Sequence, residues 1–144
     1  MKILSLTLFT LITAVSFISC EKSGCTNQLA TNFNSEASTD DGSCTYSGNI
    51  VFWCLPAISD SLRNLGHTKL YFELEGEIVD SVITEFFFAS AGDCNASGTK
   101  TFSREFSGDT RWNYKYRVKG LNYTTIYEDF IVLDANDCLG VRLE

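Results

Sequence analysis

One histidine, His67, stands in a chain of 144 residues. A zinc site built on several imidazoles is therefore excluded, and no Cys or His spacing near His67 supplies the missing ligands. A serine triad would have to use His67, yet the chain contains no Gly-x-Ser-x-Gly elbow. It also contains no glycine-rich phosphate loop. A lone histidine in the turn Leu65-Gly66-His67-Thr68 reads as an exposed polar side chain. Proline is nearly absent, with Pro56 as its one instance, while aromatic residues make up 13%. That is not the composition of a disordered chain. Basic residues are outnumbered, 11 against 18 acidic, for a net charge of −7. Such a balance argues against nucleic acid as a partner. Carboxylate pairs exist at Glu73 and Glu75 and at Glu128-Asp129. Acidic residues alternating on a strand read as a solvated outer face that guards a sheet edge. No catalytic residue, metal ligand or cofactor is expected.

The first apolar run is also short. Met1 to Ser19 carries one positive charge, Lys2, an apolar stretch from Ile3 to Ile18 and a small residue before Cys20. This is the pattern of a secretory signal with a small-residue cleavage site. A membrane span needs about 20 apolar residues, so the run falls short of one. The cysteine at the junction makes the segment resemble a bacterial lipoprotein signal. The resemblance implies export, acylation of Cys20, and a membrane held through that lipid. Glu21-Lys22, charged residues just after the cysteine, resemble surface-export signals of Bacteroidota-type bacteria. They point to the outer face of the outer membrane. The expected organisation is a signal over 1–19, a tether and cysteine-bounded module over 20–46, and a β domain over 47–144.

Cysteine is abundant, with six in the chain. In an exported protein these read as disulfides. Setting Cys20 aside leaves Cys25, Cys44, Cys54, Cys94 and Cys138, an odd set in which one thiol lacks an intrachain partner. The stretch between Cys25 and Cys44 is rich in Asn, Asp, Ser and Thr and cannot bury a core alone. A Cys25–Cys44 bond is expected to staple it, for about 3 kcal/mol in the chain-entropy account. Gly24-Cys25-Thr26, Ala30-Thr31-Asn32-Phe33 and Asp40-Asp41-Gly42-Ser43-Cys44-Thr45-Tyr46 resemble a short cysteine-bounded repeat of secreted and surface proteins. That resemblance implies an exported module and no particular chemistry. Oxygen-bearing side chains at Asn32, Asn34, Glu36, Asp40 and Asp41 invite a calcium reading. Without an Asp-x-Asp-x-Asp-Gly loop, the favoured reading is turns whose side chains bond their own backbone.

From Tyr46 onward the pattern is that of strands. Leu70, Phe72 and Leu74 alternate with Tyr71, Glu73 and Glu75, the period of a strand with one wet face. Further strands are expected over 49–54, 77–88, 99–106, 112–119, 124–133 and 139–143, with turn residues between them. A short helix is expected over 59–65, capped by Ser59 or Asp60, with Ile58, Leu62 and Leu65 on one side. The predicted fold is all-β: an antiparallel β-sandwich of six to seven strands preceded by a short disulfide-stapled loop segment. Phe52, Phe72, Phe86, Phe88 and Tyr116 are the expected core, with one ring of the triplet Phe86-Phe87-Phe88 turned outward.

Val51-Phe52-Trp53, Leu74-Glu75-Gly76, Ala91-Gly92-Asp93-Cys94 and Asn136-Asp137-Cys138-Leu139-Gly140-Val141-Arg142-Leu143 resemble a domain of small Bacteroidota-type lipoproteins. The resemblance supports the sandwich and the location, and it favours a Cys94–Cys138 pair. The residues by themselves leave Cys54 with Cys94 or Cys138 open. Asp60-Ser61-Leu62 and Asp80-Ser81-Val82 resemble the O-glycosylation acceptor motif of the same group. Tyr71, Trp112, Tyr114, Tyr123 and Tyr127 are candidate contacts for a glycan or protein ligand, since such rings stack on sugars and pack on partners. The function expected is a cell-surface binding or adhesion module. The alternative is a structural or accessory subunit of an envelope complex.

Overall fold

Strand-forming sequence from Thr45 onward is laid out in two facing sheets. The computed structural model of the protein describes residues 21–94 and 96–144, so Cys20 and the signal over 1–19 lie outside the described residues. In chain order the elements are β1 (Ser23–Gly24), β2 (Thr39–Asp40), β3 (Thr45–Cys54), α1 (Pro56–Asn64), β4 (Lys69–Leu74) and β5 (Glu77–Ile83). A 3₁₀ turn over Thr84–Phe86 follows, then β6 (Lys100–Ser107) and β7 (Arg111–Lys119). A second 3₁₀ turn over Leu121–Tyr123 leads into β8 (Thr125–Asp134) and β9 (Cys138–Leu143).

One sheet has the order β6-β3-β9 and the other β5-β4-β7-β8, while β1 and β2 pair within the stapled module. The all-β fold is as expected, and β3 to β9 supply its seven strands. The expectation of wholly antiparallel pairing is corrected by β9, which runs parallel to β3. The cause is the crossover between sheets. Strand β8 descends in the facing sheet, and its end reaches the start of β3, where Asn136 N–H donates to the Ser47 carbonyl at 2.7 Å. The chain therefore enters β9 at the end where β3 begins and must run the same way.

The two sheets meet through aromatic rings. Phe52 of β3 lies 5.1 Å from Phe72 of β4 and 5.1 Å from Tyr116 of β7, ring centre to ring centre. Phe102 of β6 closes the cluster at 5.9 Å from Phe52 and 5.5 Å from Phe72. Leu70, Phe72 and Leu74 are buried, as their alternation requires. The aromatic triplet is placed otherwise than expected. Phe87 is the core residue, 5.5 Å from Phe72, whereas Phe86 is 66% and Phe88 44% exposed. The strand expected over 77–88 ends at Ile83, and the 3₁₀ turn shifts the alternation of the residues that follow.

Helix α1 starts three residues earlier than the sequence suggests. Pro56 occupies the first turn, where its missing N–H costs nothing. Ser59 is therefore inside the helix and is no cap: it is buried, and its hydroxyl donates to the Thr84 carbonyl at 2.6 Å. Leu65 lies beyond the helix and is exposed, leaving Leu62 as its buried anchor. Thr84 ties this region together, because its own hydroxyl donates to the His67 carbonyl at 2.6 Å.

Two disulfides are present. Cys25–Cys44 closes the stapled module, and Cys94–Cys138 joins the loop before β6 to the start of β9. Cys54 is the remaining described cysteine; it is buried, and its thiol donates to the Phe87 carbonyl at 3.1 Å. Burial pushes its pKa up to about 11, so it stays a protonated thiol at neutral pH. In the stapled module the Asp40 carboxylate accepts from the Gly42 N–H and the Thr26 hydroxyl, and Asp41 accepts from the Ser43 N–H. Asn34 likewise accepts from the nearby Glu36 N–H, whereas Asn32 bonds across the module, donating to the Ser43 carbonyl and accepting from the Thr45 N–H.

Glu73 departs from the solvated face assigned to it. It is only 4% exposed, and β4 is an inner strand with no edge to guard. Its carboxylate accepts from Arg117 at 2.5 Å and also pairs with Lys119, both on the neighbouring strand β7. Arg117 pairs in turn with Glu128 of β8, which also takes Lys115 at 2.7 Å. The hydrogen bonds from Lys119 and Arg117 hold the Glu73 carboxyl below its usual pKa of 4.5. A lowered folded-state pKa means full stabilisation above about pH 4.5, fading as pH falls through the folded value. Glu73→Gln is expected to cost about 1–3 kcal/mol at neutral pH. It should also flatten the acid limb of the stability curve. Denaturant midpoints measured from pH 7 to 3 check both effects, and parallel curves for the two proteins would refute the role given to Glu73.

Candidate functional site

The two ends of the sandwich carry different material. At one end β3 begins, and the stapled module packs there. Thr31 N–H donates to the Thr45 carbonyl at 2.8 Å, and Asn27 donates its side-chain amide to the Tyr46 hydroxyl at 3.1 Å. Asn136, in the turn between β8 and β9, donates to the Leu29 carbonyl at 3.1 Å. At the other end β3 and β5 finish, β4 and β8 start, and α1 lies between. Ala89 N–H donates to the Cys54 carbonyl at 2.9 Å, which ties the loop after the first 3₁₀ turn to the end of β3. Strand β3 has 10 residues, so the two ends are about 33 Å apart.

The far end presents an aromatic cleft of about 360 Å³ between the 66–69 loop and the 3₁₀ turn Leu121–Tyr123. Tyr71 projects from the outer face of β4, because its neighbours Leu70 and Phe72 point into the core. Tyr123 lies across it with ring centres 4.7 Å apart and is itself 57% exposed. Lys69 places its ammonium 5.1 Å from the Tyr71 ring centre, within cation–π range. Thr68, Leu121 and Asn122 complete the walls with a hydroxyl, an apolar side chain and an amide.

Backbone geometry holds this loop in an uncommon form. Asn122 and Tyr123 adopt φ of 54° and 58°, two successive non-glycine residues in the left-handed region. Asparagine tolerates this region, whereas at Tyr123 it costs about 1–2 kcal/mol relative to a right-handed conformer. The turn persists because it is anchored at both ends. His67, expected as an exposed polar residue, is half-buried, and its Nδ1 accepts from the Leu121 N–H at 2.9 Å. Nδ1 must therefore carry a lone pair, which places the ring proton of the neutral tautomer on Nε2. Gly120 donates its N–H to the Thr124 carbonyl at 2.9 Å. A Cβ at Gly120 would stand 2.3 Å from His67 Nδ1 and 2.5 Å from Ile126 Cδ1.

Of the aromatic candidates read from the sequence, Tyr71 and Tyr123 are brought together and three are not. Tyr114 is buried on the inner face of β7 with Tyr116 and Val118, and burial raises its hydroxyl pKa. Tyr127 pairs with Val118 in register and packs partly against the same core. Neither lines the cleft. Trp112 is 45% exposed but lies seven residues along β7 from Lys119, about 23 Å from the cleft. It borders a separate depression with Glu75, Asp109, Arg111 and Asn113. Lys69, Asn122 and Leu121 belong to the cleft but carried no periodic signal. The turn-forming run Gly120-Leu121-Asn122 marked a loop without showing what the loop would face.

Chemically the cleft offers a partly open aromatic face, one cation and neutral hydrogen-bonding groups. It can bind and orient a ligand. Among the described residues no group of three or more His, Cys, Asp or Glu is arranged to hold a metal ion. No helix among them is long and apolar enough to cross a membrane. No protein-family model matches the chain, and no significant similarity to a curated protein or to a solved structure was found.

Gly120→Ala tests the anchoring of the loop. Crowding against His67 and Ile126 is expected to cost about 1–3 kcal/mol. It should also displace Tyr123 from Tyr71. Thermal unfolding reports the first effect and tyrosine ring NMR shifts the second; an unchanged Tyr71–Tyr123 contact would show that the loop does not depend on this close approach.

Proposed function

We propose that this protein is a non-catalytic lipoprotein of the outer membrane, anchored at Cys20 and facing the cell exterior, that binds glycan in the Tyr71–Tyr123 cleft. One observation carries the reading: the cleft opens at the end of the sandwich opposite the stapled module. Cys20 directly precedes that module in sequence. A chain tethered there carries the cleft outward, away from the membrane. Paired aromatic rings flanked by hydroxyl and amide groups suit a sugar, whose C–H face stacks while its hydroxyls hydrogen-bond. Preorganisation of the loop by His67 and Gly120 lowers the ordering cost of binding.

A second reading, an accessory subunit of an envelope complex, rests on a different feature. Leu65, Ile83, Phe86 and Phe88 are all exposed on loops and strand ends around the same tip. Apolar surface of this kind marks a contact with another protein when it is contiguous. A stoichiometric partner co-purified from membranes and lost in Phe86→Ser would favour it.

Three experiments on the full chain test the main reading. Cys20→Ser should move the protein to a soluble fraction, whereas retention in the membrane would refute the lipid anchor. Protease added to intact cells should degrade the wild-type protein, and protection would place it on the periplasmic side. In a glycan-array screen Tyr123→Ala should weaken any hit about tenfold, the loss of one stacking contact. Glycan binding that survives this substitution would refute the cleft as the site.

A further inference from the structure

We infer that the ligand of the Tyr71–Tyr123 cleft is an acidic saccharide, a sugar carrying a carboxylate that pairs with Lys69. The inference rests on the reading of the cleft as a glycan site and adds the charge of its ligand.

The protein is acidic overall, at −7. Its described basic side chains are nearly all committed. Lys22, Arg63, Lys100, Arg111, Lys115, Arg117, Lys119 and Arg142 each lie within 4.0 Å of a carboxylate oxygen. Only Lys69 and Arg104, among the described residues, stand outside these pairs. Arg104 borders a depression that it shares with Glu75, Glu77 and Glu105, so its surroundings are acidic. Lys69 is different. Its cleft is lined by glycines, Thr68, Tyr71, Leu121, Asn122 and Tyr123, without a carboxylate. Asp80, whose charge is felt from Lys69, is already paired with Lys100 at 2.5 Å.

The cleft is thus a positive spot on a negative protein. Its aromatic wall selects a flat apolar face, and its one uncompensated cation selects an anion beside that face. The local field of Lys69 acts over about a Debye length, 8 Å at physiological salt, so the distant acidic surface does not cancel it. A uronic acid has both features on one ring: axial C–H groups for stacking and a carboxylate at the rim. A charge-assisted hydrogen bond to that carboxylate is stronger than one to a neutral hydroxyl. A ring held by stacking brings its carboxylate within this short range of Lys69, which a bare anion must reach unaided.

The test is a calorimetric titration of the full chain in detergent with tetragalacturonate and with galactotetraose, its neutral counterpart. Tetragalacturonate is expected to bind about tenfold more tightly at low salt, with the difference shrinking as salt is added. Lys69→Gln should abolish the difference and Lys69→Arg should keep most of it. Equal affinity for the two sugars, or no effect of Lys69→Gln, would overturn the inference and leave the cleft as a neutral glycan site. A sulfated tetrasaccharide that binds more tightly than tetragalacturonate would overturn the assignment of a carboxylate. Tetraglutamate binding as tightly as tetragalacturonate would show that charge alone is read and would overturn the assignment of a sugar. Absence of binding by every saccharide would overturn the glycan reading itself, a failure distinct from the others.

Discussion

The contact of Phe52 with Phe72 and Tyr116 joins the two sheets, and the rest of the architecture follows from it. Strand β3 is the middle of its sheet and carries Ile50, Val51, Phe52 and Cys54 fully buried, so both of its faces are covered. Each buried aliphatic or phenyl side chain of this kind contributes about 1.5–3 kcal/mol of transfer free energy. With Phe72 committed to Phe52, Tyr71 must point to the opposite face of β4, since successive side chains alternate. The cleft is therefore a consequence of the core: the residue beside the central ring contact is the residue that lines the site.

What the sequence disclosed and what it hid follow from the same alternation. Leu70, Phe72 and Leu74 were legible because their polar neighbours mark the outer face, and the cysteine-bounded module was legible from its composition. In β7 the rings at Tyr114 and Tyr116 faced the core, and the sign of this was already present. Lys115, Arg117 and Lys119 occupy the alternate positions, and three cations on one face of a strand turn the other face inward. Tyr116 was expected in the core, and the same alternation places Tyr114 beside it. The triplet Phe86-Phe87-Phe88 was illegible for another reason. Three consecutive rings have no period, and the 3₁₀ turn before Phe87 decides which one enters the core. Glu73 was misread because strand order is not written in local pattern; only the adjacency of β4 and β7 brings Arg117 and Lys119 over it.

That adjacency has consequences beyond Glu73. Arg117 bridges Glu73 and Glu128, and Lys115 joins Glu128 from the same strand. On the outer face of β4, β7 and β8 the three cations Lys115, Arg117 and Lys119 thereby share the two carboxylates Glu73 and Glu128 along a ladder of cross-strand pairs, each of the kind that steadies a sheet by about 0.2–1 kcal/mol. The ladder ends at Lys119, which is opposite Tyr71 in register. Lys69 lies beyond the last carboxylate of the ladder, and the cation left over falls where the cleft begins. The electrostatics of the cleft are thus an edge effect of the sheet that supports it.

Strain at Asn122 and Tyr123 completes the argument, because a fold does not hold two left-handed residues without compensation. The compensation comes from below the loop. Thr84 binds α1 through Ser59 and the 67–68 turn through His67, and His67 in turn accepts the N–H of Leu121. A relay of three short polar contacts therefore connects the helix, the end of β5 and the turn over Leu121–Tyr123. Together with the Gly120–Thr124 contact, it holds the turn at both ends. A simple connection between β7 and β8 would need neither the strain nor the relay: a glycine at 122 or 123 would make the same turn at lower cost. The loop instead spends conformational energy to keep a tyrosine ring at a chosen place and angle, at the end of the protein farthest from the stapled module. The position of the Tyr123 ring over Tyr71 is thus set by the backbone of this turn and by its polar anchors, not by burial of the ring.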